Sequence, residues 1–268
     1  MWPDGARCAV ALTFDLDAES VWIAENPENV NKPGVLSQGR YGPRVGVPLI
    51  LDLLRDEALP ATFFIVGKVA EDYPEAIQLI AARGHELAVH GYTHTSPSAQ
   101  TREQEETSIS RTLTILKKYR PRIDGYRSPS WDFSQNTLDL LGRYGLSYSS
   151  NMMDDIRPYI HPGTSVVELP IQWILDDAPH FWFGLEAWNK KISTPSEVRE
   201  IWETEFEGIY ELGGCFVLTM HPQIIGRPSR LRLLRDFVAF VRSHDGVWFA
   251  TCAEIAEQAR RHLARPMS

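Results

Sequence analysis

The sequence predicts an α/β fold in which parallel strands curl into a barrel, and three observations carry that expectation. Short strand-like apolar runs alternate with segments of helical apolar spacing from residue 8 to residue 263, the order that builds strand–helix–strand units and a parallel sheet. Polar residues of chemical use stand directly after four of the predicted strands: Asp15 and Asp17, His90 and His94, Arg127, and His221. In a β/α barrel such positions gather at the carboxyl face. Finally, 268 residues of which 43% are hydrophobic can bury one large core, so a single domain over 1–268 is expected.

Residues 8–14 (CAVALTF) read as a buried strand ending at the acidic pair, and 18–43, rich in Asn, Pro and Gly, as a long loop. Segment 45–57 has helical apolar spacing, 61–66 (ATFFIV) reads as a strand, 74–83 as a helix stopped by Gly84, and 85–89 (HELAV) as a strand running into His90. Thr101 followed by Gln104 makes a capping-box pattern for an amphipathic helix over 101–118. A strand precedes Arg127, Ser134 is placed to cap a helix reaching about residue 143, and short strands follow near 147–150 and 166–171. Segment 172–194 reads as irregular and aromatic-rich. Helix 196–211, strand 215–220 (CFVLTM) ending at His221, helix 228–243, strand 246–250 and helix 252–263 complete the chain.

A net charge of −8 argues against nucleic acid and anionic membrane surfaces as partners. The longest apolar run, LPATFFIV at 59–66, is too short to span a bilayer. The N-terminal apolar stretch runs straight into Asp15 without a small-residue cleavage site, so no signal peptide is expected and a cytoplasmic location is. Cys8, Cys215 and Cys252 are scattered, with no CxxC, which argues against a disulfide framework or zinc finger, and Cys8 and Cys215, in apolar strand-like stretches, read as small core residues. The basic cluster Arg227, Arg230, Arg232 and Arg235 could touch an anionic substrate or cap the site but reads rather as a solvated helix face, and Lys190 and Lys191 read as solvated. His85 reads as structural, while His161, His180, His244 and His262 have no partner by spacing.

His90 and His94 are four apart, so on one helical turn both imidazoles face the same way. Two His plus a carboxylate from another strand end, with a position left for water, form a catalytic metal set. Zinc is the default ion, and these ligand types also admit iron, cobalt, nickel or manganese. Asp15 and Asp17 share a face at the strand end: one is expected to bind the ion and the other to take a proton from water.

These residues fall in four ordered motifs, TFDLD at 13–17, HGYTH at 90–94, RSPSW at 127–131 and LTMHP at 218–222. From about residue 8 to 255 the chain resembles the polysaccharide deacetylase family, whose shared region is also called the NodB homology domain. The resemblance implies a distorted (β/α)7-type barrel, one divalent metal, and hydrolysis of amide carbon–nitrogen bonds other than peptide bonds. It implies Asp15 as catalytic base, Asp17, His90 and His94 as metal ligands, and Arg127 as the cation that holds Asp15. It further implies His221 as the acid for the leaving nitrogen, Trp131 as a pocket wall, and a backbone N–H near Ser130 as an oxyanion donor.

The chain departs from the family pattern in places. Leu16 separates aspartates that are adjacent in the common TFDDG form, and RSPSW stands where RPPYG is usual. The Asp–Trp pair that tunes the acid histidine has no clear match, Asp176 and Asp177 in WILDDAP being the candidates. With GRYGPRVGVP at 39–48, these departures look like an intracellular branch of peptidoglycan-deacetylase-like, cyclic imide hydrolase and allantoinase-like proteins. The implied substrate is an amino sugar carrying an N-acetyl group, or a small cyclic imide or ureide. Trp173, with Phe181, Trp182, Phe183 and Trp188, is expected to roof the site for substrate or to pack against a second subunit, which leaves a homo-oligomer open. A non-catalytic binding protein on the same scaffold is the third reading, and the intact polar set argues against it.

Overall fold

The computed structural model describes residues 1–183 and 190–264. Its strands are β1 (Cys8–Leu16), β2 (Thr62–Ile65), β3 (Glu86–Val89), β4 (Gly125–Tyr126), β5 (Tyr148–Ser149), β6 (Tyr159–Ile160), β7 (Val167–Glu168), β8 (Cys215–Met220) and β9 (Val247–Phe249). The helices of the described residues are α1 (Ser20–Glu25), α2 (Pro33–Tyr41), α3 (Val47–Asp56), α4 (Gly67–Asp72), α5 (Pro74–Ala82), α6 (Arg102–Leu116), α7 (Thr137–Arg143), α8 (Asp177–Phe181), α9 (Pro195–Glu211), α10 (Pro222–Ile225), α11 (Pro228–Arg242) and α12 (Cys252–Leu263). Among the described residues no helix is long and apolar enough to cross a membrane.

The strands form one sheet in the order β6-β7-β5-β4-β3-β2-β1-β8. All pairs are parallel except β6 with β7. The nine-residue strand β1 is buried along its whole length, as expected of a parallel strand covered on both faces. One edge of β1 carries β8; the other carries β9 at its start and β2 at its end. The curl stops short of closure. On the open side of the sheet Asp176 bridges Thr219 of β8 in parallel, and the Cys215 N–H donates to the Ile156 carbonyl at 2.8 Å. The expected barrel is therefore a curled half-barrel, and its seam places the Asp176–Asp177 pair beside the end of β8.

Cys8, Cys215 and Cys252 are free, as expected, and all three are buried. The capping box of Thr101 and Gln104 forms with both bonds present. Ser134 does not cap a helix: α7 begins at Thr137, and the Ser134 and Thr137 hydroxyls both donate to buried Glu105 at 2.5 and 2.6 Å.

The larger correction concerns 18–43, which is helical rather than a loop. Its prolines are starters, not breakers: Pro27 and Pro33 sit in first turns, where the missing N–H is no loss. Asn26 accepts from the Glu28 N–H at 3.0 Å. A π-helical turn, Gly42–Gly46, then leads into α3. The glycines permit close approach: a Cβ on Gly39 would lie 2.5 Å from the Ala18 carbonyl oxygen, and one on Gly46 would lie 2.2 Å from that of Pro222. This helical wrap therefore packs directly on the segment that follows His221.

Candidate active site

Each chemical residue leaves the sheet at or just past a strand end. Asp15 is in β1 and Asp17 follows it; His90 follows β3, Arg127 follows β4, and His221 follows β8. The carboxyl face brings all of them together, and Asp15, Asp17, His90, His94 and His221 line one cavity of about 300 Å³. Ser130, Trp131 and Trp173 line it too.

His90 and His94 do not share a helical turn. Residues 90–95 form a loop, with Gly91 at φ +66° and His94 at φ +60°, and this loop rather than helical spacing turns both rings inward. Their ring centroids lie 5.2 Å apart at 69°. The His90 Nδ1 is 2.8 Å from the Arg127 carbonyl oxygen, so that ring nitrogen donates and Nε2 is left as a lone pair facing the site. His94, Ser130 and Trp131 all have positive φ, a costly conformation for side chains of this size that clusters at functional sites.

Asp17 lies at the middle of the group. Its Oδ1 is 3.4 Å from His90 Nε2 and 3.7 Å from His94 Nε2, while Oδ2 is 3.5 Å from His221 Nε2. Neither carboxylate oxygen has a hydrogen-bond partner although both are buried. A lone buried carboxylate is expensive, and desolvation, opposed by His221 and reinforced by Asp15, pushes the Asp17 pKa up to about 8. A divalent cation removes that conflict. Two ligand bonds of about 2.1 Å at a tetrahedral angle set their donor atoms ~3.4 Å apart, which matches the Asp17–His90 spacing. The trio of Asp17, His90 and His94, with donor atoms within 4.8 Å of one another, fits a metal of that kind. A second group, Asp176, Asp177 and His221, is as compact. Three of its four carboxylate oxygens are already taken: Asp177 accepts from the His221 N–H at 3.0 Å and pairs with Nδ1 at 2.7 Å, and Asp176 Oδ1 accepts from the Ala178 N–H at 2.7 Å.

Asp15 has a different environment. Arg127 is fully buried and donates from Nη1 to Asp15 Oδ1 and to the Thr13 hydroxyl, both at 2.8 Å. Its Nη2 donates to the Ser150 hydroxyl at 2.9 Å, and its guanidinium lies 4.1 Å from the Phe64 ring centre. Burial alone would raise the Asp15 pKa. The Arg127 charge, with smaller help from His90 and His221, outweighs it and holds the carboxyl below its ordinary value.

His221 is the mirror case. Burial alone would lower its pKa, but the carboxylates of Asp176 and Asp177, the Asp177 hydrogen bond and Asp17 raise it well above the usual imidazole value. Asp177 is thus the partner of His221, where the family's Asp–Trp pair has no clear match in the sequence. WILDDAP contains it, but spacing cannot say which of the two aspartates faces the histidine; the seam bridge at Asp176 decides that.

The walls are aromatic. Trp131 stacks on Trp173 with centroids 4.2 Å apart, and Trp22 stacks on Trp182 at 4.3 Å. Trp182 lines the cavity, as do Glu25 and Lys190, neither of which was singled out as a site residue. Lys190, expected to be solvated, donates weakly to the Ala178 carbonyl at 3.5 Å. Trp188, expected in the roof, lies outside the described residues.

A curled parallel half-barrel whose carboxyl face gathers an arginine-bound carboxylate, a histidine–aspartate pair and a two-histidine-one-carboxylate set has the groups that a metal-assisted hydrolase needs. The family model for polysaccharide deacetylases matches residues 40–149. Peptidoglycan deacetylase of Helicobacter pylori is 30% identical, over 92% of this chain and 94% of that protein. A Mycobacterium smegmatis crystal structure assigned to the polysaccharide deacetylases is similar with a TM-score of 0.94 and 39% identity, covering 100% of this chain and 95% of that one. A crystal structure of Puue allantoinase shares the fold, with a TM-score of 0.84 at 24% identity over 100% of this chain and 94% of that one. The chain belongs to the polysaccharide deacetylase family, hydrolases that act on carbon–nitrogen bonds other than peptide bonds and use a divalent metal.

Proposed function

We propose that residues 1–268 form one catalytic unit that removes N-acetyl groups from amino sugars, and that zinc is its metal. Asp17, His90 and His94 would hold the ion, because a buried carboxylate without a hydrogen-bond donor beside two imidazole nitrogens is a donor set suited to zinc. Bound there, the ion supplies Lewis acidity toward the amide carbonyl and toward water.

The chain's own residues supply the proton transfers. Asp15, kept ionised by Arg127, takes a proton from the attacking water as oxygen adds to the carbonyl carbon. His221, kept protonated by Asp176 and Asp177, gives a proton to the nitrogen as the carbon–nitrogen bond breaks, so the products are acetate and a free amine. A backbone N–H at Ser130 offers the oxyanion donor. Trp131 and Trp173 flank the reacting group. One observation carries the reading: two acidic side chains two residues apart have opposite environments, one tied to a buried arginine and the other to no donor at all.

A second reading is favoured by the cavity. At about 300 Å³ with aromatic walls, it is at the low end for small-molecule pockets, which suits a cyclic imide or ureide as well as one sugar ring. The test compares zinc-loaded and metal-stripped protein on N-acetylglucosamine oligomers and on small cyclic imides and ureides. Metal-dependent acetate release supports the deacetylase reading. Metal-dependent ring opening without acetate moves the chain to the cyclic-amide reading, and no metal-dependent turnover of either class overturns both.

A further inference from the structure

A second cavity, of about 370 Å³, lies behind the Trp182 wall of the site just described. Its lining includes Trp22, Phe181, Gln223, Arg227, Ser229 and Arg230, and among the described residues it contains no carboxylate. In a chain of net charge −8 this lining carries two arginines, with the Asp177 carboxylate acting on Arg230 from outside it. Within the 227–235 cluster Arg232 and Arg235 are exposed, as a solvated face requires, whereas Arg227 and Arg230 are half-buried. The Arg227 guanidinium lies 3.6 Å from the Tyr41 ring centre and that of Arg230 lies 4.7 Å from that of Phe181. Among the described residues neither forms an ion pair; each only donates weakly to a carbonyl, Arg227 to Gln223 at 3.4 Å and Arg230 to Ile224 at 3.3 Å. Stacked guanidinium groups of this kind keep their remaining N–H edges free for a planar anion.

Two further features converge there. Gln223 is 3% exposed, and neither its amide nitrogen nor its amide oxygen has a hydrogen-bond partner. A buried amide left unpaired at both ends costs free energy, and a ligand would supply the missing partners. Ser229 also stands in the first turn of α11, a helix of 15 residues whose start no side chain caps, so its positive end adds to the arginines.

We propose that this cavity is a second ligand site, for a small organic anion whose carboxylate or phosphate group sits between Arg227, Arg230 and the start of α11. A flat apolar body would lie against Trp22 and Phe181, and the Gln223 amide would bond a polar substituent. The site is separate from the metal trio, and Trp182 lines both cavities.

The test is calorimetric titration of the metal-stripped full chain with phenyl phosphate and with benzoate. Saturable one-to-one binding of at least one probe, weakening as salt rises, is expected, and the tighter probe assigns the head group. Asp17→Asn should bind as wild type does. Arg227→Leu and Arg230→Leu should each weaken binding at least tenfold. Ser229→Asp keeps the helix start favourable but places a negative charge at the anion position, so it should abolish binding even if an arginine variant fails to fold. Gln223→Leu should weaken binding without lowering the melting temperature, whereas an amide needed only for structure would lower it. Absence of saturation in wild type, or equal affinity in folded Arg230→Leu or Ser229→Asp, overturns the proposal.

Discussion

Asp177→Asn isolates the acid half of the proposed chemistry. Asp177 is fully buried; its Oδ1 lies 2.7 Å from His221 Nδ1, and Oδ2 accepts from the His221 backbone N–H at 3.0 Å. Asparagine keeps the shape but loses the charge and offers one acceptor oxygen, so one of the two His221 donors faces an amide NH2. A hydrogen bond to a charged partner contributes about 1.5–3 kcal/mol, and one pKa unit corresponds to about 1.36 kcal/mol. The His221 pKa should therefore fall by roughly one to two units. The sign is set by the native balance, in which burial disfavours the imidazolium and Asp176 and Asp177 more than restore it. A proton donor must be protonated, so the alkaline limb of kcat/KM moves to lower pH while the acid limb stays. Asp176 remains 3.5 Å from Nδ1, so the double variant Asp176→Asn/Asp177→Asn should move the limb further. The assay is the kcat/KM pH profile of wild type and variants loaded with the same metal, which makes the ion's own influence common to all. The orphaned donor also costs about 1–3 kcal/mol of stability, so the profiles belong well below the variant's melting temperature. An alkaline limb that stays in place, with activity depressed evenly across pH, would refute the argument and leave Asp177 as an orienting group only.

Asp17→Asn should lose metal, read by elemental analysis after dialysis. Zinc should raise the melting temperature of wild type and not of the variant, because an ion bound only by the folded state stabilises it. Arg127→Met should destabilise by about 3–5 kcal/mol, since it leaves the Asp15 carboxylate buried without its counter-charge. Arg127→Lys should not rescue activity, because one ammonium cannot meet Thr13, Asp15 and Ser150 together; chemical denaturation and turnover check the two claims. Glu86, at the start of β3, accepts from Thr62, Tyr148 and the Ala253 N–H, yet burial pushes its pKa up to about 7. A carboxyl with a raised folded pKa binds more protons folded than unfolded, so its contribution to stability falls as pH rises from about 4.5 through about 7. Wild type should lose up to roughly 3 kcal/mol relative to Glu86→Gln across that window, measured as the difference in denaturation free energy at each end; parallel pH curves would show that the three donors keep Glu86 ionised throughout.

Much of the architecture was legible because local and global signals agree. The run CFVLTM is β8 to the residue, and the Thr101–Gln104 pattern makes the capping box it predicts. What failed were features whose cause is not local. Residues 18–43 carry loop composition, but Pro27 and Pro33 stand where helices begin, and Gly39 and Gly46 are small because other backbone passes against them. Nothing in the spacing shows that contact. Arg227 and Arg230 look solvated on a helix face, and it is Tyr41 and Phe181, 186 and 49 residues before them in the chain, that cover their guanidinium groups.

The paired aspartates show the same division within the site. Their spacing puts both carboxylates on one face, and that is as far as it goes; either could bind an ion or take a proton. Their neighbours separate them. Arg127 arrives from β4 with its fork already anchored on Thr13 and Ser150, so it can reach Asp15 Oδ1 and not the residue two places on. Asp17 is left among three imidazoles at 3.4–3.7 Å, and neither of its oxygens accepts a hydrogen bond. A side chain that violates the rule for buried charge while every neighbour obeys it marks the place where something other than protein completes the fold. By that reasoning we propose Asp17, and not Asp15, as the metal ligand, and Asp15 as the base.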